Sequence, residues 1–164
     1  MRQFNFLIMS LILLTTACGF HLRGVGGLDK PLPYAAWHIQ ETQGLEEYLH
    51  EELKRHSVRI VSSQQVDDAA VIRVLELERQ RDVSVLSRIG TVAEYVLYLR
   101  VSVQVSYHGQ DIGKPITVHL RRTQSYSEND LFGKQLEEET LWQAMYQDAA
   151  TQIVRRLAFI HDNN

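Results

Sequence analysis

The most regular stretch of the chain runs from Glu94 to Tyr107. Its odd positions, Tyr95, Leu97, Leu99, Val101, Val103, Val105 and Tyr107, are all apolar, while Arg100, Ser102, Gln104 and Ser106 stand at even ones. Because successive side chains of a strand point to opposite sides, this alternation predicts a β-strand with one buried and one polar face. His108-Gly109-Gln110-Asp111-Ile112-Gly113 then reads as a turn. Beyond it Ile116, Val118 and Leu120 alternate with Thr117, His119 and Arg121, a second two-faced strand. Val71 to Leu86 reads as a long, interrupted strand, Val58 to Val61 as the start of extended structure, and Ala36 to Gln40 as a short first strand. An apolar face and a polar face on one sheet is the usual signature of an antiparallel meander.

Two segments change period from two to three or four. Leu45, Tyr48, Leu49 and Leu53 share one helical face, with Thr42 as the expected cap and Glu46 and Glu47 in the first turn. Leu141, Trp142, Met145, Tyr146, Ala149, Ile153, Val154 and Leu157 form a stripe wide enough to cover a sheet. Glu137, Glu138 and Glu139 stand early in that helix and Arg155 and Arg156 late, as the helix dipole favours. The expectation is a single α+β domain, with two helices packed on one face of a mixed, largely antiparallel sheet of about four strands.

Composition narrows the function. The 164 residues suit one domain, and a net charge of -3 gives no basic surface for nucleic acid. The single cysteine excludes an intramolecular disulfide and a cysteine-rich zinc site. That cysteine, Cys18, follows a signal-like segment in which Arg2 precedes the apolar run Phe4 to Leu14, a run too short to span a bilayer. Leu14-Thr15-Thr16-Ala17-Cys18 resembles a bacterial lipoprotein box, with Thr15 where the box usually carries Leu. The expected divisions are a signal peptide over 1–17, a lipidated tether over 18–35 rich in Gly and Pro, and the domain over 36–164. Acylation of Cys18 would anchor the chain stably, since each buried methylene is worth ~0.8 kcal/mol and several chains add. Gly19 after the cysteine permits sorting to the outer membrane by the lipoprotein analogy. Cleavage near Ala17 as an ordinary signal peptide, leaving a free thiol, is the alternative.

Catalytic patterns are missing. There is no G-x-S-x-G elbow, Walker loop, H-E-x-x-H or dinucleotide fingerprint, and the seven histidines are scattered. Trp142 and Tyr146 read as core, and Glu137–Glu139 as a solvated helix start. The expectation is a protein that is not an enzyme and uses no cofactor or metal.

Behind the lipobox stands Cys18-Gly19-Phe20-His21-Leu22-Arg23-Gly24, which resembles the N-terminal signature of the LptE (RlpB) family of lipopolysaccharide-assembly lipoproteins. Ser84 to Tyr95, with Arg88-Ile89-Gly90 before Ala93-Glu94-Tyr95, resembles the family's central strand–turn–strand. Met145-Tyr146, Ala149-Ala150 and Ile153 to Leu157 resemble its C-terminal helix. The resemblance implies an outer-membrane lipoprotein that plugs and helps assemble the LptD β-barrel and binds lipopolysaccharide. It also implies basic residues at Arg88 and Lys134. An up–down–up meander brings the turn holding Arg88 and the exit of the third strand, near Lys134, to one end of the sheet, where the two cations would engage lipid A phosphates. Two other readings stay open: a lipoprotein subunit of a different envelope machine, and a lipid-anchored envelope hydrolase.

Overall fold

The computed structural model describes residues 30–40, 44–127 and 130–160. Cys18, the lipobox, the Phe20–Arg23 motif and the expected cap Thr42 lie outside the described residues. The elements, in order, are β1 (Ala36–Ile39), α1 (Glu46–Arg55), β2 (Arg59–Ile60), a 3₁₀ turn (Ser63–Gln65), β3 (Ala70–Leu86), β4 (Val92–Tyr107), β5 (Gln110–Ser125) and α2 (Leu131–Leu157). The sheet order is β2-β1-β3-β4-β5. β1 runs parallel to both β2 and β3, and β3, β4 and β5 form the antiparallel meander. The α+β class, the two helices and the mixed sheet are as expected. The fifth strand is β2, paired only at Ala36↔Arg59 and Trp37↔Ile60; it falls within Val58 to Val61, read as extended from the sequence but not counted there as a strand of the sheet.

One apolar layer joins the helices to the sheet. Leu97, Leu99, Val101, Val103 and Val105 of β4 are all buried, against Leu49 and Leu53 of α1 and Met145, Ile153 and Leu157 of α2. The interruption in β3 is a bulge at Leu75. Before it Ile72 and Val74 stand opposite Val105 and Val103, and after it Leu77 stands opposite Val101. The extra residue moves the inward side chains from even to odd positions, so the strand keeps its apolar side on the core despite the broken alternation.

Four local expectations change. Glu137–Glu139 do not occupy the first turn of α2, which starts at Leu131; there the Asp130 carboxylate caps instead, accepting from Gly133 N at 3.1 Å. Ser102 and Gln104, expected on the open polar face, are 8% and 4% exposed. Between Val103↔Ile116 and Val105↔Ile112 the register advances two residues on β4 and four on β5, and the Gln104 amide fills the resulting gap by donating to the carbonyls of Val105 and Ile112. Ser102 is held by the Thr117 hydroxyl at 3.1 Å. Finally, packing begins before residue 36: Leu32 is buried, and Tyr34 accepts from Trp37 Nε1 through its carbonyl and stacks on Tyr107. No helix among the described residues is long and apolar enough to cross a membrane.

Candidate functional site

β3 and β4 outrun β1 and β2, and their far end carries the expected site. The tip is a tight turn closed by Ser87 N to Thr91 O at 2.7 Å, Gly90 N to Ser87 O at 3.0 Å and the paired hydroxyls of Ser87 and Thr91 at 2.8 Å. Gly90 takes a φ of +83°, which an L side chain rarely adopts. This turn thrusts Arg88 and Ile89 outward, and Ile89 is 87% exposed. The Arg88 guanidinium has no ion-pair or hydrogen-bond partner among the described residues.

The exit of β5 lies at the same end. Ser125 pairs with Glu94, Tyr126 N donates to Ala93 O at 2.9 Å, and the Tyr126 ring meets Tyr95 edge-on at 5.2 Å. α2 begins immediately afterwards and brings Lys134 back over β5. The meander therefore places Arg88 and Lys134 at one end, roughly 10–15 Å apart along the strands at about 3.3 Å per residue. The two cations differ in state. Lys134 Nζ is already engaged, 2.7 Å from Glu137 Oε2 and 3.1 Å from Ser125 Oγ, and its side chain is only 19% exposed. Its carbonyl accepts from the buried Gln124 amide at 2.7 Å. Arg88 is the free cation and Lys134 the held one.

Two further arginines, not singled out from the sequence, complete this end. Past the bulge, the helix-facing side of β3 reads Leu77, Arg79, Arg81 and Val83. Arg79 lies over the Trp142 ring at 4.3 Å, and Arg81 lies over Tyr95 at 3.7 Å while pairing with Glu138 at 3.1 Å. Each guanidinium thus covers an aromatic face and is neutralised by the helix above it. A cleft of about 190 Å³ remains between Arg81, Gln124, Tyr126, Leu131, Lys134 and Glu138. Leu131 lines it, and other exposed apolar side chains stand on the same two elements: Val83, Leu86 and Ile89 on the hairpin, and Phe132 and Leu136 on the first turns of α2. Cations beside an apolar rim suit an amphiphilic anion better than a purely polar one. The signal missed in the sequence was the shift at Leu75, without which Arg79 and Arg81 fall on the wrong side of the strand.

A larger cleft, about 850 Å³, opens at the ends of β1 and β2 and contains His38, Glu46 and His50. His38 Nδ1 is 2.9 Å from the Val61 carbonyl, and the described residues hold no group of three or more His, Cys, Asp or Glu fit to bind a metal.

The family model described as LptE, lipopolysaccharide-assembly, matches residues 34–157. The chain belongs to the LptE family. The LPS-assembly lipoprotein LptE of Pectobacterium atrosepticum is 32% identical over 163 residues, covering 98% of this chain and 87% of that relative. The LPS-assembly lipoprotein LptE of Yersinia enterocolitica is 33% identical over 153 residues, covering 92% and 72%. Among solved structures, a minor lipoprotein of Acinetobacter baumannii superposes with a TM-score of 0.68 at 26% identity, covering 82% of this chain and 99% of its own. LptE proteins are lipopolysaccharide-assembly lipoproteins and not enzymes, which removes the envelope-hydrolase reading. The matched span 34–157 begins at Tyr34, in the segment that packs ahead of β1.

Proposed function

We propose that this LptE-family chain is an outer-membrane lipoprotein, anchored through acylated Cys18 and facing the periplasm. In this reading it seats in the lumen of an LptD-type β-barrel as a one-to-one complex and helps that barrel assemble. It engages lipopolysaccharide at the hairpin end, with Arg88 and Lys134 on the lipid A phosphates. The observation that carries the ligand reading is Arg88: an exposed guanidinium without a partner, on a rigid turn, at the same end as Lys134. A planar donor fork held away from carboxylates is suited to a phosphate. Lys134 joins only by exchanging Glu137 for the ligand, so Arg88 makes first contact.

The ligand reading is tested by Arg88→Glu, assayed for binding to purified lipopolysaccharide at low and moderate salt because exposed charges are screened. Loss of a charge-assisted contact worth about 1.5–3 kcal/mol predicts a roughly ten- to hundredfold weaker affinity with an unchanged melting temperature. The double variant with Lys134→Glu should bind more weakly still, though it places a second carboxylate beside Glu137 and should also melt earlier. Unaltered binding by both variants removes the site. Mass spectrometry of the mature N-terminus tests the anchor, and an unmodified Cys18 would sink it. Recovery of a large barrel at equal stoichiometry from solubilised outer membranes tests the partner.

A further inference from the structure

Exposed apolar side chains are not spread evenly over the described residues. Leu86 and Ile89 stand exposed at the hairpin tip, with Val83 and Val85 just before them on β3. On α2, Phe132 is 89% exposed and Leu136 72%, four residues apart on one helical face. The remaining exposed large apolar side chains, Leu75, Tyr98 and Phe159, are isolated along the chain. Single exposed apolar residues are ordinary in a folded protein, whereas grouped ones mark a place where something binds. Each group also brackets a cation. Arg88 lies between Leu86 and Ile89, and Lys134 between Phe132 and Leu136. The neighbouring carboxylates of α2 are already engaged, Glu137 by Lys134 at 2.7 Å and Glu138 by Arg81 at 3.1 Å.

We propose that these apolar side chains hold an acyl chain of the amphiphile whose phosphates meet Arg88 and Lys134, with Ile89 and Phe132 making the main chain contacts. The proposal rests on the ligand reading above and adds the part of the ligand that the cations cannot bind. Charge and apolarity together select the occupant. A soluble phosphate or sugar pairs with Arg88 and leaves Ile89, Phe132 and Leu136 in water. An apolar protein surface covers them but buries the Arg88 guanidinium without a counter-charge, which is costly. An acylated phosphate satisfies both kinds of group at once. The tip presents the two together because the Ser87–Thr91 bonds close its backbone, so little freedom is lost when the ligand arrives. Contact with an acyl chain removes apolar area from water on both partners, which stabilises the complex in proportion to the area covered.

The test uses the full chain in detergent solution, with purified lipid A and its chemically deacylated counterpart as probes. Ile89→Ser and Phe132→Ser are made singly and together, with Leu75→Ser, exposed on the bulge of β3, as the control. Each single variant should bind lipid A about tenfold more weakly and the pair about a hundredfold, as partial burial of one large apolar side chain predicts. The deacylated probe should bind all variants alike, Leu75→Ser should match the parent, and the melting temperature should be retained. Emission from Phe132→Trp should shift to the blue on lipid A and not on the deacylated probe. Parent-like binding of lipid A by the paired variant overturns the acyl contact, and if Arg88→Glu still weakens binding the phosphate reading stands. An equal loss for the deacylated probe overturns it as well, since the acyl chain then plays no part. A blue shift on phosphatidylglycerol vesicles as large as that on lipid A overturns it in favour of a bilayer surface. Weakened binding by the apolar pair beside unaltered binding by Arg88→Glu supports the acyl contact and overturns the phosphate reading.

Discussion

The two ends of the long sheet are built by different means. At the base, α1 and the C-terminal half of α2 cover β1, β3 and β4 with largely aliphatic side chains, and Trp37, Leu49, Leu53, Ile72, Val103 and Ile153 have essentially no exposed surface. At the hairpin end the inward side of β3 carries Arg79 and Arg81, laid on Trp142 and Tyr95 and paired to α2, and the neighbouring polar anchor is the buried Gln124. Aliphatic burial stabilises in proportion to area and needs no partner geometry. Stacked, ion-paired arginines keep a surface covered while leaving it polar at its rim. The base therefore contributes most to global stability, and the hairpin end is a ribbon whose charges stay at the surface.

The comparison is broken most severely by Trp37→Ala. Trp37 is fully buried and bonded to the Tyr34 carbonyl, and removing it should cost about 3–5 kcal/mol, seen as a fall of the single cooperative transition in urea. Gln124→Ala acts at the other end. It deletes a buried hydrogen bond to α2 worth about 1 kcal/mol, and should speed amide exchange at Tyr95, Tyr126 and the first turns of α2 while leaving β1 and Ile72 protected. Equal effects of the two changes on both ends would show that they unfold as one unit.

The smallest effect concerns the seam between them. Tyr48 of α1 stacks on Tyr146 of α2 at 5.6 Å, and burial, reinforced by the charges of Glu47 and Glu139, raises its phenol above the ordinary value. The folded state thus favours the neutral phenol. Its contribution is fully present below the unfolded value near 10 and is lost as pH rises through the folded one. Melting curves between neutral pH and strongly alkaline pH should show a shallower alkaline decline for Tyr48→Phe than for the parent.

The same contrast separates what was legible before the fold was known. The alternation through β4 and the stripe on α2 marked Leu97 to Val105 and Met145 to Leu157 as core, and every one of those stripe positions from Met145 onward is buried. The base was readable because aliphatic burial writes its own period into the chain. The hairpin end was readable only in outline. That Arg88 and Lys134 share an end followed from counting strands; the Lys134–Glu137 pair is an i,i+3 contact open to any reading that started α2 before Lys134, whereas only the fold brings Ser125 to the same ammonium.

By itself, then, the amino-acid sequence determined the α+β class, the meander and the helix stripes, because each depends on a periodicity within one segment. It also carried the motifs of a lipopolysaccharide-assembly lipoprotein, because these are contiguous. Tertiary structure alone decided the inward turn of Arg79 and Arg81, the burial of Gln104 in the β5 irregularity, and the pairing that makes Arg59–Ile60 a fifth strand of the sheet. Each of these depends on which residue stands opposite another across strands. That pairing is set by the bulge at Leu75 and the register of the whole sheet, and no single segment contains it.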